Sequence, residues 1–363
     1  MTKRAIELLK RLIATPSVSR SEEAAADIVE KYLRDGGCSR VIRSVNNVAA
    51  LPAEFDPEKP TVMLNSHIDT VKPAPSYTFD PYTPFERDGR LYGLGSNDAG
   101  ASLVSLIAAY SALKDKALPF NLFFAASAEE EVGGENGMRR LLPTLAEAGA
   151  GKIDMAIVGE PTSMQPAVAE RGLVVLDCVT RGVSGHAARN EGANAIYRAI
   201  ADINAMRNCK FPECSEVLGP IKISITQIEA GRQHNVVPDE CRWVADVRTT
   251  DAYTNRQTAD MLQSAVSEWT EAVARSTRVQ ASVIAADHPL VKAAVMAGGT
   301  PFVSPTTSDM SLMHGIPSMK IGPGESSRSH SADEYILISE IENGISGYIS
   351  LLGNLAKTIQ DNT

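Results

Sequence analysis

Histidine is scarce in this chain, with six among 363 residues: His67, His186, His234, His288, His314 and His330. Each is therefore a candidate for chemistry. Cysteine is also rare and odd in number: Cys38, Cys178, Cys209, Cys214 and Cys241, with no C-x-x-C pair. That excludes a disulfide framework and a thiolate zinc cluster, and reads as five reduced thiols. No apolar run approaches the roughly 18 residues of a membrane span. Residues 1–14 carry charges inside their apolar pattern, so they read as an amphipathic helix and not as a secretion signal; the expected compartment is the cytoplasm. An excess of base is missing too. Lys and Arg number 35 against 44 Asp and Glu, a net charge of -9, which sets aside nucleic acid and anionic membrane as partners. There is no G-x-G-x-x-G loop, internal repeat or low-complexity segment.

What is present is an ordinary globular composition, 44% apolar and 22% charged, on a chain long enough for one large domain and a smaller one. Ile6, Leu9, Leu12 and Ile13 recur at helical spacing. Ser19 with Glu22 three residues on reads as the capping box of a second helix, which Gly36-Gly37 stops. Short apolar runs at 61–65, 120–126 and 154–158 read as strands, with helices near 98–114 and 134–146 between them. Strands alternating with helices predict an α/β fold, a mixed sheet with helices on both faces. The middle differs: strand 172–180, helix 194–206, strands 221–228 and 242–247, helix 254–275. This is the split βαβ order of a small α+β (ferredoxin-like) sandwich. The expected organisation is a catalytic domain in two parts, 1–169 and 282–363, with an inserted lid over 170–281.

Polar residues gather where the predicted strands end, the position at which open α/β sheets bind ligands. After strand 61–65 comes Ser66-His67-Ile68-Asp69-Thr70-Val71. Residues two apart share a face, so Asp69 can meet the His67 ring and fix its tautomer for a metal; a surface His-x-Asp loop is the plain alternative. In Gly93-Leu94-Gly95-Ser96-Asn97-Asp98, Asp98 can bridge two cations or cap a helix. Glu129-Glu130-Glu131 follows strand 120–126. Adjacent carboxylates repel, so the run is either a cation site with a general base or a solvated acidic loop. Gly159-Glu160-Pro161-Thr162 and Ser329-His330-Ser331-Ala332-Asp333-Glu334 complete the series. A mixed imidazole and carboxylate set suits zinc or cobalt.

These five pieces, in this order and over essentially the whole chain, resemble the zinc aminoacylase family, which includes acetylornithine deacetylase, succinyl-diaminopimelate desuccinylase, aminoacylase, carboxypeptidase G and several di- and tripeptidases. The resemblance implies two zinc ions, for which cobalt can substitute. One would be held by His67, Asp98 and Glu160, the other by Asp98, Glu131 and His330. It aligns Glu130 with the catalytic base and gives Glu129 no role; Asp69, read above as the partner that fixes the His67 tautomer, falls in the first of the matched pieces. Ser66 stands where the family usually has Gly, and Ala99-Gly100 where many relatives have a pair such as Met-Lys. Gly182–Ala188 and Asn194-Ala195-Ile196 look like the lid motif. They imply a homodimer through the lid, with His186 donating to the oxyanion in the partner's site. Gly231–Pro238 and Asp246-Val247-Arg248 look like the substrate-binding stretch. There Arg248 would take the substrate carboxylate and Asn235 a polar contact. The remaining histidines, His234, His288 and His314, match no ligand position. The implied partner is a small N-acyl amino acid. Overall similarity points to N-acetylornithine, N-succinylornithine or N-acetylcitrulline in arginine synthesis; the desuccinylase and dipeptidase activities are the alternatives. Glu325 could meet a cationic side chain and Arg328 a succinyl carboxylate, or both could face solvent.

Overall fold

Thr61–His67 and Asn121–Ser127 are buried along their whole lengths. Only a strand covered on both faces can be buried in that way. In the computed structural model, which describes residues 1–189 and 191–361, these two strands run parallel and in register from Thr61 opposite Asn121 to His67 opposite Ser127. Met155–Val158 joins the other side of Thr61–His67, and Ser318–Lys320 extends the parallel set. Antiparallel strands Asn47–Leu51 and Arg40–Ser44 close one side of the sheet.

Alternation along the central strands divides the apolar residues between two layers. Val62, Leu64, Leu122 and Phe124 pack against helices Thr2–Ile13, Ala101–Leu113, Pro289–Met296 and Ile338–Gln360. Met63, Phe123 and Ala125 face Met138–Glu147 and the turn at Asp309–Leu312. At roughly 25 cal/mol per Å² of apolar surface removed from water, these two layers are the main stabilising term. No helix of the described residues is long and apolar enough to cross a membrane.

The chain forms two compact units: Met1–Val168 with Ile284–Val303 and Ser308–Thr363, and Ala169–Val283 with Ser304–Thr307. The second unit is a four-stranded antiparallel sheet in the order Lys222–Ala230, Glu240–Thr249, Gly172–Arg181, Thr270–Ala274. Val174, Leu176, Trp243, Ala245 and Val247 are buried on one face with Ala199 of helix Ala195–Arg207 and Leu262 of helix Asn255–Ala265. Cys178 and Cys241 are buried there as free thiols.

Two local expectations fail for identifiable reasons. The helix expected over 254–275 stops at Ala265, and Thr270–Ala274 is a strand. Asp202 accepts the Ser267 N–H and hydroxyl and the Thr270 hydroxyl, which pins the chain in a turn. Beyond it Thr270 and Ala272 point inward while Glu271 and Val273 point out, the period of a strand. The capping box at Ser19 is not made either. The helix starts at Glu23 without a side-chain cap, and the Ser19 hydroxyl instead donates to Asp69 Oδ2 at 2.7 Å.

Candidate metal centre

His67 is the last residue of its strand and only 2% exposed. Its Nδ1 lies 2.9 Å from the Asp69 carbonyl oxygen and 3.5 Å from Asp69 Oδ1. A carbonyl can only accept, so Nδ1 carries a proton. Nε2 faces Asp98 Oδ1 at 3.2 Å and Glu160 Oε1 at 3.7 Å. Either a proton or a cation must lie between this nitrogen and those oxygens. Burial opposes a charged ring, yet the Asp69, Asp98, Glu160 and Glu130 carboxylates hold the His67 pKa well above the usual value. A metal ion would take the place of that proton.

Asp98 occupies an irregular turn entered through Gly95, whose φ of 75° is left-handed. Its second oxygen, Oδ2, is 3.6 Å from His330 Nε2. The same nitrogen lies 2.9 Å from Glu131 Oε2. His330 itself has a positive φ of 57° on a loop, with its side chain 55% exposed. Asp98 therefore reaches both histidines. Burial pushes its pKa up, but the His67 hydrogen bond, the neighbouring Ser329 hydroxyl and the charge of the two rings prevail and lower it.

The three glutamates show the opposite balance. Burial raises Glu130 well above its ordinary range despite His67, and Glu160, Asp309 and Glu131 add to the rise. Burial likewise lifts Glu131, and pushes Glu160 up to about 8 against the pull of His67 and Lys320, with Asp98 and Glu131 adding to it. Ligand atoms of His67, Glu130 and Glu160 lie within 4.8 Å of one another, as do those of His67, Asp98 and Glu131. Carboxylates crowded around imidazole nitrogens fit a hard or borderline divalent cation, which would remove the repulsion that raises these acids.

The loops are held from behind. Asp69 accepts the Glu130 and Glu131 N–H groups at 3.1 and 3.2 Å, besides the Ser19 hydroxyl. Burial alone would raise its pKa, but His67 first, and then the Ser19 hydroxyl and the Glu130 N–H, lower it. Glu129 points away and accepts from Asn136; a side chain at Gly134 would collide with it. Asn47 accepts the Ala128 N–H, and Glu22 accepts that of Glu129. Ser66 donates to the Gly159 carbonyl at 2.9 Å, which ties the His67 strand to the turn that carries Glu160.

A sixth acid was not singled out from the sequence. Glu334 is 2% exposed, and its carboxylate accepts the N–H groups of Gly95, Asn97 and Asp98 at 2.9, 2.8 and 2.9 Å. Burial and the nearby Asp98 raise its pKa to about 8, while the three donors pull the other way. It closes the Ser329–Glu334 motif, but no local pattern shows its role, because the donors lie more than 230 residues away.

The other expected site residues belong to the second unit. His186 and Asn235 are neighbours there, since His186 pairs with Val236 and the Ala187 N–H donates to the Asn235 carbonyl at 3.1 Å. Arg248 forms a two-bond ion pair with Asp246, two residues back on the same strand face. In the first unit Arg328 bridges Glu325 at 3.0 Å and Glu340 at 2.7 Å, so both loop charges are engaged within the chain. His288 caps a helix by accepting the Leu290 N–H.

The model of peptidase family M20/M25/M40 matches residues 63–354. The chain is 28% identical to a succinyl-diaminopimelate desuccinylase of Wolbachia pipientis wMel over 72% of this chain and 68% of the relative. It is also 28% identical to an acetylornithine deacetylase of Myxococcus xanthus, over 86% of this chain and 83% of the relative. Among solved structures, a tripeptidase from Staphylococcus aureus subsp. aureus mu50 superposes with a TM-score of 0.76 at 21% identity, over 98% of this chain and 99% of the other. A Bacillus subtilis protein described as a dinuclear metal binding peptidase superposes at 0.69 with 16% identity, over 97% of each chain.

Proposed function

Because the chain belongs to peptidase family M20/M25/M40, a family of metal-dependent hydrolases, we propose that it is a two-zinc amidohydrolase that removes the acyl group from an N-acyl amino acid, with an N-acylornithine as its substrate. The observation that carries the reading is the convergence of two histidines and four carboxylates, His67 and three glutamates from the ends of parallel strands and Asp98 and His330 from a turn and a loop, with Asp98 reaching both rings. His67, Asp98 and Glu160 would hold one ion, and Asp98, Glu131 and His330 the other. Cobalt would serve in place of zinc. When bound, such ions polarise the amide carbonyl and bring the pKa of a water to about 7.

The chain's own groups do the rest. Glu130 takes the proton of the attacking water and returns it to the leaving amine as the C–N bond breaks. In His186, Nδ1 accepts the Ala188 N–H at 3.1 Å, so the neutral ring carries its proton on Nε2 and can donate to an oxyanion. Losing such a donor typically costs about 10²–10³ in turnover. Arg248 spends Nε and Nη2 on Asp246, which leaves Nη1 for a substrate carboxylate, and Asn235 supplies a polar contact beside His186. We assign residues 170–281 as lid and dimerisation domain, with His186 serving the partner's centre in a homodimer. Deleting 170–281 should abolish the dimer in light scattering; a surviving dimer would refute the interface.

Release of free α-amine from N-acetylornithine, N-succinylornithine, N-acetylcitrulline, N-succinyl-diaminopimelate and a few dipeptides tests the substrate. Preference for an ornithine or citrulline derivative supports the reading and names the acyl group. Desuccinylase relatives at the same 28% identity support diaminopimelate desuccinylation as the second reading. A preference for N-succinyl-diaminopimelate would select it, and a preference for dipeptides would replace both.

A further inference from the structure

Asp98 stands in neither a helix nor a strand. Its φ and ψ of -114° and 103° interrupt the turn at Ser96–Gly100, so no regular backbone ladder aims its side chain. Yet its two oxygens must face two histidines on different segments of the chain. Resting on the reading of this cluster as a metal centre, we propose that Glu334 is the positioning residue that presents Asp98 to both ions and couples it to the His330 loop.

Three backbone N–H groups of the Asp98 turn end on the one Glu334 carboxylate: Gly95 on Oε2, and Asn97 and Asp98 on Oε1. The Glu334 carbonyl also accepts the Gly93 N–H at 3.0 Å. Asn97 adds a two-way clamp, donating to the Glu325 carbonyl at 3.0 Å and accepting the Glu325 N–H at 3.1 Å. The segment 325–334 that brings in His330 thus also grips the turn that brings in Asp98. Water cannot stand in, because Glu334 is buried, and a neutral apolar residue would orphan three N–H groups at once. Packing alone asks for no acid here, and burying one is costly without such donors. Asp69 does the same for Glu130 and Glu131, so the Asp98 turn and the Glu130-Glu131 loop each have a buried carboxylate as backbone anchor.

The test is E334Q. The amide keeps one acceptor oxygen and turns an NH₂ group toward N–H donors. In the metal-free protein, hydrogen exchange at Gly95, Asn97 and Asp98 should accelerate while strand Thr61–His67 stays protected. Zinc affinity, read by chelator competition, should weaken about 10–100-fold, as it does when a ligand's support is lost. The Co²⁺ absorption spectrum should change and kcat should fall with little change in KM. Wild-type exchange, affinity and spectrum in folded E334Q would overturn the proposal. If E334Q does not fold, E334D, which keeps the charge with a shorter reach, is measured in the same way; wild-type values there would overturn it equally. A wild-type protein that binds no divalent ion would sink the metal reading, while the exchange measurement would still decide whether Glu334 holds the turn.

Discussion

Glu130 and Asp69 sit one hydrogen bond apart and should fail in different ways. Glu130→Gln removes the proton carrier but leaves every group assigned as a ligand. It should retain both metals by elemental analysis and lose about 10²–10⁴ in turnover; near-wild-type activity would remove Glu130 from the chemistry. Asp69→Asn replaces an acceptor of the Glu130 and Glu131 N–H groups with an amide that can accept at only one atom. Metal affinity or rate should drop roughly 10–100-fold, measured by chelator competition. At this scale the sequence was readable wherever chemistry and chain position coincide: His67, Glu130 and Glu160 each fall at or just after the end of an apolar strand. Glu334 was not readable, because an acceptor's value depends on which N–H groups fold against it. Ser19 misled for the same reason. Its capping pattern is locally sound, but Asp69, 50 residues on, takes its hydroxyl.

Elements were legible in proportion to how strongly one face is buried. The central strands announce themselves as near-continuous apolar runs. The stretch after Ala265 does not, because Ser267-Glu268-Trp269 neither breaks helical character by composition nor alternates. The turn is imposed by Asp202 on the neighbouring helix Ala195–Arg207. Asp202→Ala should therefore leave the Ser267 N–H without its acceptor and the Thr270 hydroxyl with Thr180 Oγ1 as its remaining partner. It should destabilise the second unit by about 1–3 kcal/mol, seen as a lower denaturant midpoint with the metal content of the first unit unchanged.

For the whole molecule, acidity stored at the centre sets how stability follows pH. Glu160 and Glu334 are raised from 4.5 to about 8 in the metal-free fold, and burial also raises Glu130 well above its ordinary range. The folded state then binds more protons than the unfolded one between about 4.5 and about 8. Stability of the chelator-treated protein should fall as pH rises through that window, and zinc should reverse the trend. Thermal melts at pH 5 to 9 with and without metal check the sign. The two histidines also differ in how they are set into the molecule: His67 ends a buried strand, whereas His330 rides an exposed loop. Ions held as proposed would then have unequal residence times. The one behind His67 would arrive first and leave last, while the one at His330 would exchange with the surrounding metal pool. A chelator should strip the protein in two phases, and the fast phase should disappear in His330→Ala.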